Sequence, residues 1–152
     1  MDIRNNTLHH PAVAALIEEH IADMHAVSPP ESIHTLSLDA LRHDDITFWS
    51  LWSGEDVVGC IALRALNPRH GEIKSMRTAD KYRQKGAAAR LLQHLEHEAL
   101  SRGYEELSLE TGTMPYFNAA RAFYLKHGFV EVAPFEPYQP DPNSVFYSKT
   151  LR

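Results

Sequence analysis

Apolar side chains at Val13, Leu16, Ile17, Ile21 and Met24 recur at spacings of three and four, which predicts an amphipathic helix opening at Pro11. Ser28-Pro29-Pro30 ends it, because proline supplies no amide and disfavours helix in the residue before it. The period then changes. Residues 46–52 and 57–66 are strand-like runs joined by Ser53-Gly54-Glu55-Asp56, a hairpin signal. Residues 2–8 read as a first strand, and Ser37 can cap a short helix over 38–42. A turn at 67–71 leads to a strand at 72–78. A second stripe, Ala88, Leu91, Leu92, Leu95 and Ala99, predicts a helix over 86–102 that stops at Gly103. Leu107 and Leu109 mark a strand running to Thr111. Asn118 can cap a further helix carrying Ala119, Ala122, Phe123 and Lys126, ended by Gly128. Residues 129–132 and 145–151 are the last strands, and 134–143, with four prolines, is a long loop.

The strand–helix–strand order over 72–111 requires its two strands to be parallel with a right-handed crossover. The expected fold class is therefore α/β (α+β): a mixed, mostly antiparallel sheet of about seven strands flanked by about four helices. No repeat, low-complexity tract or linker divides the chain, so one domain over 1–152 is expected.

Composition narrows the classes. Of 152 residues, 43% are hydrophobic and 23% charged, the mix of a globular chain rather than a disordered one. No apolar run nears the ~20 residues of a membrane span. The opening MDIRNNTLHHP lacks a charged-then-apolar leader. A cytoplasmic protein without a membrane partner is expected. The single cysteine, Cys60, excludes an internal disulfide and a multi-cysteine zinc site, and its setting in VVGCIAL suggests a buried thiol. His94 and His97 stand three apart, but no H-E-x-x-H accompanies them, so they read as exposed helix residues and no metal is expected. Trp49 and Trp52, alternating with apolar residues, read as core.

The net charge of −5 is uneven. Residues 69–90 hold seven basic and two acidic side chains, and the rest of the chain is acidic. That points to a local anion site, not to nucleic acid, whose partners present a dominating basic surface.

Within that stretch, Arg83-Gln84-Lys85-Gly86-Ala87-Ala88 lies between a strand and a helix start. Successive amides there, at the positive end of a helix dipole, can cradle a pyrophosphate. Gly86 lets the chain approach closely, and Ala87 and Ala88 keep side chains small. Neither G-x-x-x-x-G-K-[ST] nor G-x-G-x-x-G occurs, which argues against P-loop and Rossmann sites.

These residues resemble the GNAT superfamily of acetyl-CoA-dependent N-acetyltransferases. Arg83, Gly86 and Ala88 match its R/Q-x-x-G-x-G/A signature, and Met76-Arg77-Thr78 stands in place of its Leu-x-Val. Leu-Glu-Thr-Gly at 109–112 and the run from Asn118 to Phe129, matching N-x-x-A-x-x-F-Y-x-x-x-G-F, complete the resemblance. Gln84 and Ala88 where glycine is common, Asp80 for proline and Thr78 for valine are departures that remove no backbone donor.

The resemblance implies that the main chain of Met76 and Thr78 pairs with a pantetheine arm. It implies that the amides of Gln84, Lys85, Gly86, Ala87 and Ala88 hold the diphosphate with Arg83 nearby, and that Asn118 also contacts pantetheine. Tyr124 would protonate the departing thiolate. Glu72 would take the amine's proton, with Glu110 or a water chain as the other candidates. Glu31, Tyr138 and Asp141, in the loops 28–32 and 134–144, are candidates to touch the acceptor, as is Glu110. The expected acceptor is a primary amine of a small molecule. A protein N-terminus or lysine is the runner-up, a non-catalytic acyl-CoA-binding module stands as the reading of another class, and a homodimer is compatible with the resemblance.

Overall fold

The computed structural model describes residues 1–151. In chain order the elements are β1 (Asp2–Asn5), α1 (Pro11–Val27), α2 (Leu38–Leu41), β2 (Ile46–Ser53), β3 (Asp56–Asn67), β4 (His70–Thr78), α3 (Ala87–Ser101), β5 (Glu106–Gly112), α4 (Asn118–Lys126), β6 (Val130–Val132) and β7 (Ser144–Thr150). Single 3₁₀ turns sit at Pro30–Ser32, Asp80–Tyr82 and Pro115–Phe117. The seven strands form one sheet in the order β1-β2-β3-β4-β5-β7-β6. Among the described residues, only β4 and β5 pair in parallel.

Period-two alternation sorts side chains into two layers. Trp49, Leu51, Ile61 and Leu63 face α3 and pack with Leu91, Leu92, Leu95, Leu107 and Leu109. Phe48, Trp52, Cys60 and Ala62 face the other way, against Val13, Leu16, Ile17 and Leu41 of α1 and α2. The Cys60 thiol is fully buried, donates to the Ser75 carbonyl at 3.2 Å, and is pushed up to about 12 by burial. It is a packing residue, not a nucleophile.

Helix termini follow their local chemistry. His10 accepts from the Ala12 amide at 3.1 Å with Pro11 behind it, and Ser37 Oγ accepts from Ala40 at 3.1 Å. Three expectations need correction. β1 stops at Asn5, because Asn6 turns the chain with φ 56°. Asn118 does not cap α4: it is already helical (φ −55°, ψ −45°), and its side-chain oxygen accepts from Arg121. His94 is half-buried, its ring edge-on to Trp49 at 5.4 Å, whereas His97 is exposed.

The feature that positions the site is an irregularity in β4. Cys60 pairs with Arg77 but Ala62 with Lys74, so β4 carries one residue more than β3 across that step. Ser75, in the left-handed region at φ 51°, lies within the bulge. Toward β5, β4 pairs only through His70↔Glu106, Gly71↔Leu107 and Glu72↔Ser108. Both strands continue, β4 to Thr78 and β5 to Gly112, so they part like a wedge.

The β3 backbone lies close against β4 beside this step. A Cβ on Gly59 would fall 2.7 Å from the Arg77 carbonyl oxygen and 3.2 Å from a Leu91 methyl. Gly59→Ala is expected to lower stability by about 1–3 kcal/mol. Urea unfolding should show a reduced midpoint at unchanged slope.

Candidate active site

The wedge between β4 and β5 opens into a cleft of about 140 Å³. The Ala79 amide bonds the Val58 carbonyl at 2.8 Å, so strand alternation turns the backbone groups of Thr78 and Met76 away from β3, toward the opening. α4 reaches in from the β5 side. Its Tyr124 is buried, packed edge-on between Phe123 (5.3 Å) and Phe129 (5.4 Å), and its hydroxyl donates to Met76 Sδ at 2.9 Å. Burial pushes this phenol above its ordinary value, so it stays protonated at neutral pH.

At the end of β4 the chain passes the turn 80–82 and enters α3 through Gln84 (φ 61°) and Gly86 (φ 82°), both left-handed. No side chain caps α3. The first amides of any helix lack intrahelical partners, and left-handed residues turn neighbouring amides to one side as an anion nest. A Cβ at Gly86 would meet nothing within 4 Å, so glycine is wanted there for its backbone angle rather than for space. Arg83 is exposed and pairs with Asp80 at 2.9 Å, and Lys85 lies 5.9 Å from the centre of the Tyr82 ring. The donor set from Gln84 to Ala88 fits a diphosphate.

The other end of the cleft is polar and closed over by two loops. Glu110 lines it, its carboxyl raised by burial against the opposing pull of Ser144 and Lys74. Lys74 is buried and donates to the His34 carbonyl (2.9 Å) and to the Tyr138 hydroxyl (2.7 Å). Tyr138 in turn donates to Glu72, and burial together with that carboxylate raises its phenol. Ser32 Oγ donates to Asp141 at 2.7 Å, and the Asn143 amide bonds the same carboxylate at 2.8 Å, holding it below the usual range.

Several sequence expectations fall differently in space. Glu72 has no exposed surface and does not line the cleft; Glu110 does. Tyr138 reaches Glu72 and Lys74 and so ties its loop to the sheet, whereas Asp141 is engaged by Ser32 and ties that loop to the segment after α1. Glu31, exposed, lies on an outer trough with residues 137–143 rather than in the cleft. Asn118 is paired with Arg121 and lies outside the cleft lining. The basic run is not one anion face either: Lys74 and Arg77 point inward, the latter held by Glu19 and, at 2.8 Å, Asp23.

Sequence reasoning passed over His20, Thr35 and Ser75, all lining the cleft. His20 sits on the apolar face of α1, between Ile17 and Met24, and a polar residue at such a position was the available signal. Burial, then the Arg77 charge, lowers its imidazole to about 4. Among the described residues no three His, Cys, Asp or Glu side chains gather as a metal site, and no helix is long and apolar enough to cross a membrane.

The Acetyltransferase (GNAT) family model matches residues 13–129. A Bacillus subtilis protein named as an uncharacterized N-acetyltransferase, YsnE, is 51% identical across 99% of this chain and 100% of its own. YedL of Escherichia coli, likewise named as an uncharacterized N-acetyltransferase, is 48% identical over 98% of this chain and 94% of its own. A Klebsiella pneumoniae crystal structure, given as that of an acyl-CoA N-acyltransferase, superposes with a TM-score of 0.80. It is 28% identical, and the match covers 99% of this chain and 97% of that one.

The His20 environment predicts a pH effect on stability. Its folded value near 4 lies below the ordinary 6.5, so between these values the unfolded chain binds the proton first and stability falls as pH drops. From pH 7 to 5 the group withdraws about 2 kcal/mol. Urea titrations of the wild type and His20→Gln at both pH values should show the variant losing less.

Proposed function

This chain belongs to the Acetyltransferase (GNAT) family and is an N-acetyltransferase; from that premise we propose that it moves an acetyl group from acetyl-CoA to the primary amine of a small molecule. The observation that carries the reading is the parting of β4 from β5, with the Tyr124 hydroxyl inside the opening and already donating to a sulfur atom. A module that only bound the cofactor would need the α3 turn; the phenol and Glu110 support catalysis. The loops tied by Lys74, Tyr138, Ser32 and Asp141 close the acceptor side, which favours a compact amine over a protein segment.

In this reading the backbone of Met76 and Thr78 pairs with the pantetheine arm as an added strand, and the amides of Gln84 to Ala88 hold the diphosphate. Arg83 adds positive charge beside it. Asn118, bonded to Arg121 and outside the cleft lining, is given no contact with pantetheine in this reading. The amine attacks the thioester carbonyl as its free base. A C–N bond forms, the C–S bond breaks, the amine's proton passes to Glu110, directly or through water, and the thiolate takes a proton from Tyr124. Glu72 acts as a positioning residue, holding Tyr138 and Lys74, rather than as the base.

Thiol release from acetyl-CoA with a panel of amines tests this. Tyr124→Phe is expected to lower kcat about 10²-fold with little change in KM for acetyl-CoA. Because burial raises the Glu110 carboxyl, kcat/KM should fall on the acid side with a limb above 4.5, and Glu110→Gln should abolish that limb. Tight coenzyme A binding without turnover of any amine or peptide would establish the binding module instead.

A further inference from the structure

Three buried polar atoms lining the cleft have no hydrogen-bond partner among the described residues: His20 Nδ1, Thr35 Oγ1 and Ser75 Oγ. A buried polar atom left unpaired is costly, and native proteins pair nearly all of them with protein, water or ligand. Three on the wall of one cleft, from three different segments, are a set of contacts awaiting a partner. Ser75 strengthens the case. It holds a left-handed backbone at φ 51°, a conformation that glycine or asparagine adopts more readily, and in doing so sits on the cleft wall at the bulge.

The charged groups nearby restrict what that partner is. Lys74 is the one cation on the cleft wall among the described residues, and its ammonium is already used by the His34 carbonyl, the Tyr138 hydroxyl and, at 3.5 Å, Glu72. Arg77, whose charge acts on His20, does not line the cleft, and its two terminal nitrogens are paired with Glu19 and Asp23. No free cation is left to receive a carboxylate or phosphate. Glu110 is the one acid on the wall among the described residues, and the acetyl-transfer reading assigns it to the reacting amine, so a second ammonium has no counter-charge. What remains unpaired is neutral and bidirectional: two hydroxyls, each able to donate and accept, and an uncharged imidazole nitrogen.

We propose that the acceptor is a hydroxylated amine, whose hydroxyl groups pair with His20, Thr35 and Ser75 while its amine faces Glu110. This rests on the acetyl-transfer reading and adds the acceptor's chemical class. Each ligand hydroxyl can donate to one of these atoms and accept from another, which neither an alkyl group nor a carboxylate can do.

The test compares serinol with 3-aminopentane, which share a carbon-branched amine and differ by two hydroxyls in place of two methyls. Glucosamine, glycinamide, serine and putrescine serve as further arms, and thiol release and KM for acetyl-CoA are recorded throughout. The expected result is a kcat/KM for serinol about 10²- to 10⁴-fold above 3-aminopentane. Thr35→Val and Ser75→Ala should each shrink that preference about ten-fold. Glucosamine turned over more efficiently than serinol supports the same class and selects the sugar source. Parity of the wild-type enzyme on the matched pair, or preference for serine, putrescine or glycinamide, overturns the inference and leaves acetyl transfer standing. Absence of thiol release with every amine overturns both.

Discussion

The strand β4 has to satisfy two neighbours with incompatible demands, and the site exists because it satisfies one of them only in part. Toward β3 it pairs along its whole length, absorbing an extra residue near Ser75. Toward β5 it pairs through Glu72 and then departs. Backbone groups facing an interior cannot remain unpaired without cost, so the Met76 and Thr78 amides and carbonyls call for a partner that the sheet does not supply. An extended chain lying in the opening is the partner such an edge accepts. The same strand also fixes α1, because Arg77, almost wholly buried, reaches across to its Glu19 and Asp23.

Beside the bulge, the polar cluster of Glu72, Lys74 and Tyr138 is poorly explained as a source of stability. Taking an ammonium and a carboxylate out of water costs several kcal/mol per ion, which their attraction only roughly offsets. Its geometry gives a better account. Lys74 grips the His34 carbonyl in the segment after α1 and the Tyr138 hydroxyl in the loop before β7, while Ser32 and Asp141 join those two segments directly. Aromatic contacts reinforce the junction, with the Tyr138 ring 5.0 Å from His34 and 5.2 Å from Phe135. Two loops far apart in sequence are thereby fixed to the sheet beside the cleft, where apolar packing alone would leave more freedom.

What the sequence disclosed and what it withheld divide along the range of the interactions. Helix α3, its glycine boundaries and the strand alternation that puts Trp49 and Trp52 on opposite faces are local or periodic, and were legible. So was the parallel pairing of β4 and β5, which the strand–helix–strand order dictates. The bulge was not: Lys-Ser-Met-Arg has neither the glycine nor the asparagine that would advertise a left-handed residue. Nor was the allocation of acids. Glu72 and Glu110 both read as strand carboxylates, and only tertiary packing decides that one is enclosed by Tyr138 and Lys74 while the other faces the opening. Asn118 shows the same limit in reverse, a good capping residue drawn instead to Arg121.

The charge arithmetic takes on a different meaning once its cations are followed into space. Of the seven in residues 69–90, Lys74 and Arg77 turn inward to join elements, while Lys81 and Arg83 are held by Asp56 and Asp80. Arg69, Lys85 and Arg90 have no carboxylate partner among the described residues, and Lys85 and Arg90 stand at the start of α3. That is the wrong end of a helix for a cation: the dipole there is positive, the first turn holds no acid, and each such placement costs roughly 0.3–1 kcal/mol at an exposed site. The arrangement is unfavourable for an isolated helix and favourable for one that meets a diphosphate, which reverses the sign of the local field. Six of the seven cations in this segment thus answer two separate demands, one architectural and, on the proposed acetyl-transfer reading, one electrostatic.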